Sequence, residues 1–182
     1  MIYEHIIAID PDVEKNGVAH LIKQEKKLAA TVLNFVETVE YLKLIKETFV
    51  DKEQKVIVVV EAGWLNQGNY HLGFRDSTRL AAAKGVSVGR NQQVGHDIVD
   101  MARHIGFEVQ ELRPLKKCWK GKDGKITHDE LKEITGIAAK RSNQEERDAA
   151  LIAWVFAGLP IWIKPQSRIV KTVIRASKST KK

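Results

Sequence analysis

The apolar positions of this chain fall into short unbroken runs and longer segments of helical period. Ile6-Ile7-Ala8-Ile9 is an apolar run stopped by Asp10 and by Pro11, which cannot continue a strand ladder. Lys55-Val56-Ile57-Val58-Val59-Val60-Glu61 is a β-branched run without polar alternation, as expected of a central strand covered on both faces. Residues 5–23 read as strand, turn and strand, with a third strand near 27–35. A helix follows near 37–50, with Val39, Leu42, Ile45 and Phe49 inward. Residues 62–85 carry Gly63, Trp64, Gly68, Tyr70, Gly73, Phe74, Arg75 and Arg79, which predicts a loop with a short helix, either facing a substrate or anchored by its aromatics. Ser87–Gly106 predicts a helix with Val94, Ile98, Met101 and Ile105 on its core face, and Glu108–Leu112 a strand. The last helix begins at Ser142-Asn143-Gln144-Glu145 and turns apolar from Ala149. Strands alternating with helices after an opening hairpin predict an α/β fold with a mixed sheet.

Four acids stand at the ends of these elements. Asp10 and Glu61 each end a strand, and Glu145 and Asp148, three apart, share a face at the start of the last helix. Singly, each has an ordinary explanation as a turn residue, a solvated strand end or a favourable charge at a helix N-terminus. An Arg141–Glu145 surface pair would account for Glu145 and Glu146, but not for Asp148, which is followed by small and apolar residues where the helix enters the core. Gathering several carboxylates costs repulsion and desolvation, which a fold tolerates mainly around cations, typically two metals about 4 Å apart for phosphodiester chemistry.

Ile9-Asp10-Pro11 with Asn16-Gly17-Val18-Ala19, the strand ending at Glu61, and Glu145-x-x-Asp148-Ala149-Ala150-Leu151-Ile152-Ala153 together resemble the RuvC-type Holliday junction resolvases of the ribonuclease H-like superfamily. The ordered set spans residues 6–157, most of the chain. It departs from the family's Asp-x-x-Asp-Ala motif in having Glu145 at the first position, which leaves Glu145 and Glu146 both open as the fourth ligand. The resemblance implies a ribonuclease H-like sheet, an antiparallel hairpin followed by parallel strands, with helices on both faces. It implies Asp10, Glu61, Glu145 and Asp148 as catalytic residues and metal ligands for two Mg²⁺ ions, with Mn²⁺ as substitute. It further implies a 3′-hydroxyl and 5′-phosphate product, and a homodimer cutting two strands of branched DNA at symmetry-related positions.

Composition narrows the alternatives. The 182 residues are 43% hydrophobic, enough for one domain with a proper core. No apolar run approaches the ~20 residues of a membrane span, so an intracellular, cytoplasmic protein without a membrane partner is expected. The single Cys118 has no disulfide partner and no companions for zinc. The net charge of +7 lies wholly in a tail from residue 164, where seven basic residues meet no acid. We divide the chain there, into a nuclease domain of residues 1–163 and a basic tail of 164–182. Arg168, Lys171, Arg175 and Lys178 recur opposite Ile169, Val170, Val173 and Ile174, an amphipathic segment suited to phosphates, to an acidic membrane surface or to docking by its apolar side.

Two further segments fit nucleic acid. Arg113–Lys125 holds six basic residues and one acid, and its glycines make it a loop. In it Lys116, Lys117, Lys120, Lys122 and Lys125 are placed to hold phosphates and Trp119 to stack on a base, and a lysine there could also stabilise transition-state charge. Thr127-His128-Asp129-Glu130 beyond it reads as a helix capping box, which leaves His128 outside the chemistry. In the helix before it, Gly89 and Gly95 each cost about 1 kcal/mol against Ala, implying close approach by a second subunit or a nucleic-acid backbone, or ordinary helix packing. Arg90, Asn91 and Gln92 lie beside them and, with Arg75 and Arg79, complete the expected nucleic-acid contacts. Two other readings stand beside the resolvase: a nuclease of the same fold acting on hybrids, flaps or single strands, and a non-catalytic nucleic-acid-binding module.

Overall fold

The structure, a computed structural model, describes residues 3–66 and 77–161. Arg75, the aromatics Tyr70 and Phe74, and the basic tail lie outside these residues. Within them the chain forms β1 (His5–Asp10), β2 (Asn16–Ile22), β3 (Lys27–Leu33), α1 (Phe35–Thr48), β4 (Val56–Glu61), α2 (Thr78–Ile105), β5 (Glu108–Leu112), α3 (His128–Thr135) and α4 (Gln144–Phe156).

The strands form one sheet in the order β3-β2-β1-β4-β5. The β1–β2 and β2–β3 pairs are antiparallel, and β1–β4 and β4–β5 are parallel. This is the expected ribonuclease H-like sheet. The unbroken apolar runs sit at its centre because both faces are covered. Ile7, Ile9, Val18, Val58 and Val60 pack on the face carried by α1 and α2, while Ile6, Ala8, Ala19, Ile57 and Val59 pack against α4 and α3. Each such isoleucine or valine contributes about 1.5–3 kcal/mol by leaving water, so the two cores together dominate the stability.

Helix ends follow the capping chemistry of the sequence. Asn34, Thr127 and Asn143 each cap a helix and close a capping box with Glu37, Glu130 and Glu146. Gly106 ends α2 at φ +104°, a conformation that only glycine adopts cheaply. The start of α2 differs from the expected Ser87. The helix begins at Thr78, capped by Ser77, whose hydroxyl accepts from the Leu80 amide at 3.3 Å. A Cβ at Gly85 or at Gly89 would meet nothing within 4 Å. Their cost is a weak propensity, and the helix formers Arg79-Leu80-Ala81-Ala82-Ala83-Lys84 outweigh it.

Candidate active site

Strand parity decides which way the strand-ending acids point. Side chains alternate along β1, so Asp10 shares the face of Ile6 and Ala8, and by the same count Glu61 shares the face of Ile57 and Val59. That is the face covered by α4. Because β1 and β4 are parallel neighbours, with Ile9 beside Val60, the two carboxylates leave the sheet side by side at its carboxyl edge. Helix α4 brings Glu145 and Asp148 over that edge.

The close seating of α4 depends on a glycine. Gly17 is the cross-strand partner of Asp10 on β2 and therefore faces α4 as well. A Cβ there would fall far inside van der Waals contact with the Glu145 carbonyl oxygen. The first turn of α4 thus rests on bare backbone beside Asp10. The capping box separates the two candidate glutamates: Glu146 accepts from the Asn143 amide at 2.8 Å and is committed to the helix cap. Glu145 is the one whose charge acts on Asp10.

Asp148 sits one turn further in, with both oxygens engaged. Oδ1 accepts from Gln144 Nε2 at 2.7 Å, and Oδ2 lies 3.5 Å from Lys125 Nζ. Gln144 is itself held, its Oε1 accepting from an Arg147 guanidinium nitrogen at 2.9 Å. Arg147 also donates to the carbonyls of Ile126 and Ser142, tying α4 to the basic loop.

The electrostatics are those of crowded, partly dehydrated acids. Burial, then the charges of Glu61 and Asp148, push the Asp10 carboxyl well above the usual carboxylate range. Lys125 opposes the shift, and Glu145 adds to it. Burial also raises Glu61, with Asp148 adding to the rise. The Leu115 amide, at 3.4 Å from Oε1, Lys117, and a hydrogen bond shared with Asp10 oppose it. Asp148 rises through burial, against the pull of Lys125, Gln144 and Lys117.

Among the described residues, no group of three or more His, Cys, Asp or Glu side chains stands at metal-ligand spacing. The acids meet at the same edge, but Asp148 turns toward Gln144 and Lys125, and Glu61 toward Leu115 and Asp10. As donors they are all carboxylate oxygens, a hard set suited to Mg²⁺ or Mn²⁺ and unsuited to zinc or copper. The raised proton affinities of Asp10, Glu61 and Asp148 mark a site where added positive charge is stabilising.

The basic loop after β5 packs against this edge. Its order comes from buried Glu130, which accepts from the Lys120 amide at 3.1 Å, the Thr127 amide at 3.0 Å and the Thr127 hydroxyl at 2.8 Å. Trp119 is half-buried against the α4-side core, where it anchors the loop. Lys116, Lys117, Lys120 and Lys122 are exposed, and Lys125 lies at the carboxylates. His128 pairs with the Ser142 hydroxyl at 2.8 Å, away from the acids.

On α2, Arg79 and Arg90 are exposed and Gln92 is half-buried. Asn91 clamps the β1–β2 turn, its Oδ1 accepting from the Val13 amide at 3.2 Å and its Nδ2 donating to Asp12 at 3.2 Å. Gly95 does have a close neighbour, which is the chain's own Trp64: a Cβ there would overlap the indole ring and press on Pro11. Trp64, three residues beyond Glu61, also stacks on His96 with centroids 4.1 Å apart and donates to Glu111 at 3.0 Å. It braces the strand ends that carry Asp10 and Glu61. The residues that the sequence did not single out, Gln144 and Arg147 above all, left one signal: Gln144 precedes Asp148 by one helical turn.

No protein-family model and no curated protein sequence matches the chain. Among solved structures it is similar to T. thermophilus RuvC in complex with Holliday junction substrate, at 15% identity and a TM-score of 0.49 over 86% of this chain and 97% of that one. It is similar also to a Thermus thermophilus RuvC structure, at 17% identity and a TM-score of 0.47 over 85% of this chain and 96% of that one.

Proposed function

We propose that the chain is a Mg²⁺-dependent, structure-selective DNA endonuclease that resolves four-way junctions. The observation that carries the reading is the meeting of Asp10, Glu61, Asp148 and Glu145, from three separate elements, at one sheet edge, with the proton affinities of Asp10, Glu61 and Asp148 raised. These four residues would hold divalent cations, which when bound activate a water for attack on phosphorus and stabilise the leaving oxygen. Gln144 orients Asp148, Trp64 and Gly17 fix the strand ends and the helix, and Lys116, Lys117, Lys120 and Lys122 receive the flanking phosphates. The motif resemblance supplies the substrate class and the homodimer, since a two-fold axis matches one site to each of two strands.

A second reading, a nucleic-acid-binding module without catalysis, draws on the absence of a ready three-ligand group among the described residues. Cleavage of a labelled four-way junction, beside duplex, flap and RNA–DNA hybrid controls, in Mg²⁺ and in EDTA, separates the two. The resolvase gives paired, symmetric, metal-dependent nicks confined to the junction. Cutting of a control instead assigns another nuclease substrate, and tight binding without cutting assigns the module.

A further inference from the structure

The two partners of Asp148 differ in kind. Gln144 is a neutral amide fixed by Arg147, and it orients the carboxylate whatever else the other oxygen binds. Lys125 is a cation on a flexible stem, with 36% of its side chain exposed and Nζ 3.5 Å from Oδ2. Its backbone is pinned: the Lys125 carbonyl accepts from the Gly121 amide at 3.0 Å and its amide donates to the Lys122 carbonyl at 3.1 Å. Gly121 cannot carry a side chain without striking that carbonyl. The ammonium can therefore leave Asp148 by rotating its own stem while the loop stays in place.

A second cation at the same carboxylate repels the ammonium strongly at this range in a partly dehydrated site, so the two compete. We propose that Lys125 is a substitute cation. It neutralises Asp148 until a divalent metal takes the carboxylate, and it is then released, still at the site, to meet a phosphate of the substrate. This rests on the reading of the edge as a metal-dependent nuclease centre. It accounts for why the carboxylates coexist with a lysine among them, and for why the basic loop is folded so tightly around Glu130 and its glycines. It also couples metal loading to substrate grip, because the same event that fills Asp148 frees a positive charge.

Two measurements on the full chain test it. Lysine acylation with acetic anhydride, read by mass spectrometry, is expected to label Lys125 several-fold faster when Mg²⁺ is present, with Lys122 on the same loop unchanged. Unchanged labelling of Lys125 overturns the proposal. Calorimetric titration with Mn²⁺ is expected to show roughly fivefold tighter binding in Lys125→Met, the effect of removing a competing pair of ordinary strength, with Lys125→Arg close to wild type. If wild type binds Mn²⁺ through Asp148, as judged by loss in Asp148→Asn, and Lys125→Met binds no tighter, the substitute-cation role is wrong while the metal centre stands. If wild type and Asp148→Asn bind alike, the metal centre fails and the proposal with it. Should Lys125→Met not fold, the acylation experiment decides alone.

Discussion

Strand β1 has a titratable side chain at each end, and the two ends handle it in opposite ways. At the amino end, buried His5 meets His20 of β2 at 2.9 Å, with both rings against Phe49. One ring donates to the other, and burial, then the neighbouring His5, hold His20 down to about 4. At the carboxyl end, Asp10 meets three further acids that cannot all be satisfied by one another, and its proton affinity rises. The first is a finished structural contact. The second is unfavourable as it stands and is kept within the same packed sheet, which is the mark of a site built for something other than stability.

The contrast breaks most sharply at Asp10. Asp10→Asn is expected to lower Mg²⁺-dependent cleavage by roughly a thousandfold or more while raising the stability of the metal-free protein, because it removes a buried charge from among like charges. Single-turnover cleavage and urea unfolding of the same preparation check both halves. Gln144→Ala releases the oriented oxygen of Asp148 and should weaken Mn²⁺ binding by about 10–100-fold, as loss of a supporting hydrogen bond around metal ligands typically does. Gly17→Ala forces the first turn of α4 off the sheet, and urea unfolding should show a loss of about 1–3 kcal/mol together with reduced metal affinity.

The two ends also respond to pH with opposite sign. The raised carboxyls contribute stability that is present below the unfolded values near 4 and is lost as pH rises through their folded values. His20, depressed from 6.5 to about 4, contributes stability that is present above 6.5 and is lost as pH falls toward 4. Between pH 4 and 6.5 the two trends offset each other in wild type. His20→Phe should remove an acid loss of about 2 kcal/mol, allowing for partial exposure of the ring, and leave a protein that grows more stable on mild acidification. Asp10→Asn should steepen that acid loss. Chemical denaturation at pH 4.5, 5.5 and 7.5 reads both slopes.

Much of this was legible in the chain because its strongest signals are local. Asp10-Pro11 and Glu61-Ala62-Gly63 end strands through chemistry visible in a few residues, and the valine run of β4 announces a central strand. The choice between Glu145 and Glu146 was also within reach, since Asn143-x-x-Glu146 is a capping box. What stayed hidden depends on register and distant packing. That Gly17 sits across from Asp10, and that Gly95 receives Trp64, follows only once β1 pairs with β2 and α2 lies on the sheet. Trp119 read as a surface for bases because tryptophan among lysines suits that role. The structure half-buries it against the α4-side core, a packing that the local sequence does not reveal. The expected onset of α2 falls late because Thr78–Gly85 is grouped with the glycine- and aromatic-rich stretch before it.

Thermal unfolding of the wild-type chain at pH 7.5, with and without millimolar Mg²⁺, tests the central claim most directly, that the carboxylate edge is unfavourable without a divalent cation and is relieved by one. We predict a rise of several degrees with Mg²⁺ that is lost in Asp10→Asn and unaffected by His20→Phe. An identical melting temperature with and without Mg²⁺ in the wild-type protein would contradict it.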